Sequence, residues 1–416
     1  MGASFVIAEI DGEGRVVLPP SLARRAGVRP GSRVRITEDE HGLRIGRPVN
    51  SLGRLYVEPT SECNLSCAAC VRDTWDEPAG RMARGTWEKL LSGTCNLDPL
   101  PSLFLGGFGE PLLHPEIMEM VGDAKRRGME VELITNGTLL DERVAERMVS
   151  IGLDRLWISL DSAEGAQFAA LRKGGTLDAV VDHVQRVNTL RERSPSKKPR
   201  IGISFVATRD TMSSLPGVLR LGVRLGADRF SVSNVVPHTS AMNEQALYRR
   251  SFHEPDIPPS ARTPLVELPR MELNRDTEAP LAYVLKGPFS VSVAGQRLVQ
   301  GSCTCPFVEK GSMAIRWDGS ASPCLPLLHG HTSFLQERKR TIGSCLIGHV
   351  RDHDLLEIWN GPAYVALRER LLDFDFAPCT ICNSCEEADN NNSDCFGNLF
   401  PACGGCLWAQ GFIRCP

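Results

Sequence analysis

Three cysteines in one short loop, Cys63-x3-Cys67-x2-Cys70, follow directly on the β-like run Leu55 to Val57. Thiolates are the ligands of soft metal centres, and a 4Fe–4S cluster with only three of them on one loop keeps its fourth iron open to a small molecule. An open iron points to chemistry. On spacing alone the same triplet also suits a structural zinc or a closed electron-transfer cluster, so the residues that follow must decide. The run Leu103-Phe104-Leu105 reads as a buried strand, and it ends in Gly106-Gly107-Phe108-Gly109-Glu110-Pro111, a glycine-rich turn carrying one carboxylate. Glycine lets a ligand approach the backbone, and a carboxylate or carbonyl accepts from an ammonium. Later strand-like runs end in Thr135-Asn136-Gly137, in Ser159-Leu160-Asp161 and in Thr208-Arg209-Asp210. Ser159 and Asp161 alternate on a strand and so face one side. Each of these segments, taken alone, also reads as an ordinary turn, strand end or helix cap.

In this order the sites resemble the radical S-adenosylmethionine (SAM) superfamily. The resemblance implies a 4Fe–4S cluster on Cys63, Cys67 and Cys70, with the amine and carboxylate of SAM on its open iron. Reductive cleavage of SAM would then yield a 5′-deoxyadenosyl radical that takes hydrogen from an unactivated C–H bond. It further implies that the turn with Gly107, Gly109, Glu110 and Pro111 meets the SAM amino group, and that Asn136 bonds the nucleoside or orients the amino-acid part. Ser159 and Asp161 would approach the ribose, and Thr208 would help seat the carboxylate. One departure concerns the position before the third cysteine, where the superfamily places an aromatic residue near adenine. Here it is Ala69, so adenine must pack elsewhere.

The elements that would carry these residues alternate along the chain. Strand-like runs at Leu55 to Val57, Leu103 to Leu105, Val131 to Ile134, Arg155 to Leu160, Ile201 to Val206 and Arg229 to Val232 are separated by helix-like stretches such as Glu116 to Arg127, Glu142 to Ile151, Leu177 to Leu190 and Ser214 to Leu225. Such alternation predicts an α/β fold with a parallel sheet, whose sites gather at the C-terminal strand ends. The superfamily builds it as an open, partial (β/α)6 TIM-like barrel.

The chain has 416 residues, more than one ordinary core supports, and four segments are expected. Residues 1–50 form a small β-rich module, 51–250 the barrel, 251–300 a proline-rich connection and 301–416 a cysteine-rich domain. A net charge of −3 carries no global nucleic-acid signature. No apolar stretch approaches the ~18 residues of a membrane span. With no apolar signal core at the N-terminus, the fifteen cysteines argue for metal ligation in a reducing cytoplasm rather than for disulfides.

The first module reads as strands at Phe5 to Ile10, Gly14 to Pro19 and Val34 to Ile36, with a short helix from Ser21 to Ala26 closed by Gly27. Its Gly-Arg-Val-Val-Leu-Pro-Pro pattern resembles the AbrB-like swapped-hairpin family, many of which bind DNA as dimers. Eight arginines against six acids are too modest an excess to favour DNA binding, and a dimerising or docking role is the preferred expectation.

In the last segment Cys305, Gly319 and Cys324 read as a hairpin, followed by Leu356-Glu357-Ile358-Trp359 and Cys379-x2-Cys382-x2-Cys385. This resembles the SPASM extension of radical SAM enzymes, which holds two auxiliary 4Fe–4S clusters. The match implies Cys305, Cys324 and Cys406 for the first, completed by Cys303 or Cys345, and Cys382, Cys385, Cys403 and Cys415 for the second. Cys379 and Cys395 remain as spare thiols, Cys95 as a buried or idle one, and His329, His331, His349 and His353 as hydrogen-bonding rather than ligating residues. The three modules together, with the ending Cys403-Gly-Gly-Cys406-Leu407-Trp408, look like maturases of tungsten-cofactor (aldehyde:ferredoxin-type) oxidoreductases. That implies a client protein or peptide, a reductant such as ferredoxin or flavodoxin, and possible homodimerisation through the first module. Two alternatives stay open: a peptide maturase forming a crosslink or thioether, and an iron–sulfur or zinc DNA-binding regulator.

Overall fold

The computed structural model describes residues 7–29, 32–39, 42–75, 77–248, 265–268, 290–293, 296–297, 305–377, 379–380 and 386–416. The expectations for Cys303, Cys382 and Cys385 fall outside them.

The N-terminal module consists of β1 (Glu9–Ile10) paired with β2 (Val16–Val17), helix α1 (Pro20–Ala26) and the hairpin β3 (Val34–Asp39) with β4 (Gly42–Pro48). Proline opens α1 and Gly27, in the left-handed region at φ 69°, closes it. Strand β4 was not anticipated, because its alternation of Gly, Arg and Pro with Leu and Ile carries little β signal. Ile7, Ile10, Ile36 and Leu43 remain exposed on this module.

The barrel strands are β5 (Arg54–Val57), β7 (Ser102–Leu105), β8 (Val131–Thr135), β9 (Arg155–Ser159), β11 (Arg200–Ala207) and β12 (Ala227–Asn234), all parallel and adjacent in chain order. Two short strands, β6 (Ser66–Cys67) and β10 (Arg172–Lys173), form a separate antiparallel pair. Helices α2 (Arg84–Ser92), α3 (Ile117–Arg126), α4 (Glu142–Ile151), α5 (Gly165–Leu171), α6 (Leu177–Arg193) and α7 (Leu215–Arg224) lie between the strands. Alternation along each strand divides the core. Leu55, Val57, Leu103, Leu105, Val131 and Leu133 pack with apolar residues of the helices, whereas Tyr56, Phe104 and Trp157 share a second cluster with Phe307, Leu325 and Leu328 of the C-terminal domain.

That domain enters the same sheet. Strand β16 (Ser312–Ile315) runs parallel to β5, with Tyr56 opposite Ala314, and continues antiparallel through β17 (Ser320–Ser322) to β20 (Gly348–His349). The nine-stranded order is therefore β12-β11-β9-β8-β7-β5-β16-β17-β20. The expected hairpin is present, its Gly319 at φ 99°, but its union with the barrel was not foreseen. A three-stranded sheet β13 (Leu265–Leu268), β14 (Ser290–Val293) and β15 (Gln296–Arg297) occupies part of the proline-rich connection. The hairpin β18 (His331–Leu335) with β19 (Arg338–Ile342) completes the strands.

Candidate active site

At the C-terminal ends of β5, β7, β8 and β9 lies a cleft of about 160 Å³. Cys63, Cys67 and Cys70 all line it, with Gly107, Phe108, Gly109, Glu110, Asn136, Ser159 and Arg172. Burial raises the Cys63 thiol and pushes the Cys67 thiol up to about 11. As free groups these sulfurs are disfavoured as thiolates, and a bound cation is what would stabilise the charged form.

The glycine turn is pressed against the cysteine loop. A Cβ at Gly109 would stand 2.2 Å from the Thr60 carbonyl and 2.6 Å from that of Glu62, so no other residue fits. Directly beside it the Glu110 N–H donates to the Glu62 carbonyl at 2.7 Å. The buried Glu110 carboxylate accepts from Leu112 N at 3.0 Å and Thr135 Oγ1 at 2.7 Å through one oxygen, and from Asn136 N at 2.7 Å through the other. Burial nevertheless raises its pKa, despite these bonds. A carboxylate has about four lone-pair sites, so one remains for an incoming ammonium. Asn136 donates to Asn64 Oδ1 at 3.0 Å and fixes its own turn through Thr138 N at 2.9 Å.

Arg172 was missed in the sequence. It lies opposite Cys67 in the β6–β10 pair, and its Nη2 donates to Asp161 Oδ2 at 2.5 Å. Its Nε is buried and has no partner. An orphaned guanidinium N–H beside three thiols fits an anionic cluster and a carboxylate-bearing ligand. Nothing in the local sequence marks Arg172, since the contact depends on a two-residue strand pair formed across more than a hundred residues of chain.

Other expected contacts lie further back. Asp161 is tied to Arg172 and accepts from Val206 N at 2.8 Å, and it does not line the cleft, whereas Ser159 does. Thr208 exchanges hydrogen bonds with Thr211 and so behaves as the helix-capping alternative. Pro111 starts a buried 3-10 turn outside the cleft lining. Among the described residues, Phe108 is the one aromatic side chain on this cleft, in a position to replace the aromatic that Ala69 does not supply.

A second cavity, about 60 Å³ and mostly apolar, is lined by Cys305, Cys324, Cys403 and Cys406. All four are half-buried, and desolvation raises each thiol, that of Cys305 to about 12. Cys403 thus shares a cavity with Cys305, Cys324 and Cys406, whereas the resemblance implied it for the second cluster. The insertion between Cys385 and Cys403 obscured that. The buried Arg340 borders this cavity and donates to the carbonyls of Ala388, Gly405 and Asn390. Cys345 is buried beside a neighbouring cavity, and Cys415 lines another with Tyr56, Lys310 and Trp408. Cys379 is buried, Cys395 is exposed, and Cys95 is exposed rather than buried, accepting from Arg127 Nη1 at 2.6 Å. His331 borders the four-thiol cavity with its pKa lowered by burial. Among the described residues no group of three or more His, Cys, Asp or Glu closes on a single ion.

Residues 57–233 match the radical SAM superfamily model, residues 303–386 the SPASM iron–sulfur cluster-binding domain, and residues 7–53 the model described as antidote-toxin recognition MazE, bacterial antitoxin. The tungsten-containing aldehyde ferredoxin oxidoreductase cofactor-modifying protein of Pyrococcus furiosus is 29% identical over 87% of this chain and 96% of its own. The PqqA peptide cyclase of Gluconobacter oxydans is 27% identical over 82% of this chain and 84% of its own. In fold, the chain is similar to Streptococcus suis SuiB bound to S-adenosylmethionine (TM-score 0.50, 16% identity, 84% of this chain, 73% of that one) and to anSMEcpe with bound AdoMet (TM-score 0.50, 16% identity, 86% and 96%).

Proposed function

We propose that the chain is a radical SAM protein with a SPASM extension and an AbrB-like N-terminal module, a maturase acting on a tungsten-cofactor oxidoreductase. The observation that supports the radical chemistry most directly is the meeting of three half-buried thiols with an orphaned Arg172 N–H in one cleft. Cys63, Cys67 and Cys70 would hold the 4Fe–4S cluster. With SAM bound, the reduced cluster would supply the one electron that splits the sulfonium into methionine and a 5′-deoxyadenosyl radical. The chain's own residues bind and orient. The remaining acceptor site on Glu110 takes the SAM ammonium, Arg172 Nε faces the carboxylate or cluster, Asn136 and Ser159 meet the nucleoside, and Phe108 covers adenine. Asp161 acts through Arg172, by holding it.

In the C-terminal domain we assign Cys305, Cys324, Cys403 and Cys406 to one auxiliary cluster, because they share one cavity. The choice of client is supported by the near full-length likeness to the Pyrococcus furiosus protein. A peptide substrate is the second reading, supported by the likeness to PqqA peptide cyclase. The exposed apolar residues of the N-terminal module support dimerisation through it.

Anaerobically reconstituted protein with dithionite is expected to convert SAM to 5′-deoxyadenosine and to carry about twelve irons. Cys67→Ala should abolish conversion and remove about four irons only. Iron near four per chain in the wild type would remove the auxiliary clusters from the proposal. Affinity capture from the native host discriminates the clients, a tungsten enzyme supporting the first reading and a short peptide the second.

A further inference from the structure

Behind Phe108, on the side away from the cleft, lies a group of buried charges that cofactor binding does not use. Glu58 follows β5 and is completely buried. Its Oε1 accepts from the Phe108 N–H at 3.2 Å, and its Oε2 lies 2.8 Å from His329 Nε2. The other ring nitrogen, His329 Nδ1, lies 2.9 Å from Glu77 Oε2, which also accepts from Arg316 Nη1 at 3.0 Å. The imidazole stacks on Trp75 with centroids 4.0 Å apart, and Phe108 stands edge-on to both rings at 5.1 and 5.9 Å.

An ionised carboxylate only accepts hydrogen bonds, so a ring with one at each nitrogen donates twice and is an imidazolium. Its face against an indole suits a cation. His329 belongs to the C-terminal domain, five residues past Cys324, yet its partners are the end of β5, the stretch after Cys70 and the glycine turn. The glycine turn lines the SAM cleft, and the other two segments flank the loop that carries its three cysteines. Glu58 is not on the cleft surface, so the group acts through Phe108 and not on the ligand itself.

We infer that His329 is a positioning residue through which the C-terminal iron–sulfur domain holds the Gly107–Glu110 turn in its SAM-binding shape. The inference rests on the radical SAM reading given under Proposed function. Burial alone would lower the His329 pKa, but Glu58 and Glu77 outweigh it and raise the value above the ordinary 6.5. The other charged groups at hand are Arg316, held also by Asp318 at 2.6 Å, and His331, whose Nδ1 lies 3.2 Å from the His329 carbonyl. A partnered imidazolium contributes fully at low pH and is lost as the pH rises through its raised value.

The test is calorimetric titration of reconstituted full-length protein with SAM, without reductant, between about pH 6.5 and 9. Wild-type affinity should fall toward alkaline pH with a one-proton dependence beyond that of the SAM amine, which titrates in the same range and is common to every variant. His329→Gln should bind SAM about tenfold more weakly near neutral pH, without that additional alkaline limb, and keep its full iron content. Glu77→Gln, at a half-exposed position, should shift the limb to lower pH by weakening the support for the imidazolium. Affinity within about twofold of wild type in His329→Gln, with the same pH profile, would overturn the inference. If His329→Gln fails to take up iron, the wild-type profile and Glu77→Gln decide: a profile that follows the SAM amine alone and is unaltered by Glu77→Gln overturns it. A wild type that never binds SAM would sink the radical SAM reading itself, whereas these outcomes sink the positioning role alone.

Discussion

Gly109 shows how little tolerance the cleft has at the level of single atoms. Its missing side chain is what lets the glycine turn lie on the backbone that leads into Cys63. Gly109→Ala would force the Thr60 carbonyl, 2.2 Å from the new methyl, to move, and backbone cannot swing aside as a side-chain tip can. We expect a loss of about 1–3 kcal/mol in the unfolding free energy of the apoprotein, measured in denaturant, with SAM cleavage reduced at least tenfold. A variant with unchanged stability and turnover would show that the turn is not seated on the cysteine loop. The chemistry-bearing residues of this turn were legible because glycines and a carboxylate sit where a strand pattern stops. Arg172 and His329 were not, since what makes each matter is a partner brought from a distant stretch of chain. The same holds for Cys403, whose neighbours are set by the fold of an insertion and not by its interval from Cys385.

The elements themselves were largely readable, because six short apolar runs alternate with amphipathic stretches bounded by turn residues. What the alternation could not reveal is which strand pairs with β5 on its free side. Leu103 to Leu105 covers one edge, and the other is taken by β16, about 250 residues further along. The hairpin β16–β17 depends on its turn, where Asp318 accepts from Arg316 Nη2 at 2.6 Å and Ser320 N at 2.9 Å. Burial alone would raise the Asp318 carboxyl, but Arg316 and Ser320 hold it down at about 2. Its stabilisation is therefore complete above the ordinary 3.8 and lost as the pH falls through about 2. Asp318→Asn is expected to cost on the order of 1–2 kcal/mol at neutral pH after allowance for solvent screening, the deficit vanishing in acid. Denaturant midpoints of both proteins at several pH values check this, and a deficit that persists below pH 2 would contradict the assigned ion pair.

At the scale of the molecule, the N-terminal module is attached by few bonds. Arg33 pairs with Glu369, Arg29 donates to the Asp98 carbonyl, and Arg368 Nε donates to the Val49 carbonyl at 3.1 Å. None of its described residues lines the SAM cleft or the four-thiol cavity. Removing residues 1–48 should therefore leave SAM cleavage within about twofold of the full chain while lowering the mass seen by light scattering. Loss of cleavage would make the module part of the catalytic fold. The remaining body behaves differently, because β16 and β5 share backbone hydrogen bonds, and a sheet does not hinge between paired strands as two domains do across a linker. Clusters held on Cys63, Cys67 and Cys70 and on the four thiols of the C-terminal cavity would therefore stand at a separation fixed once the shared sheet has formed.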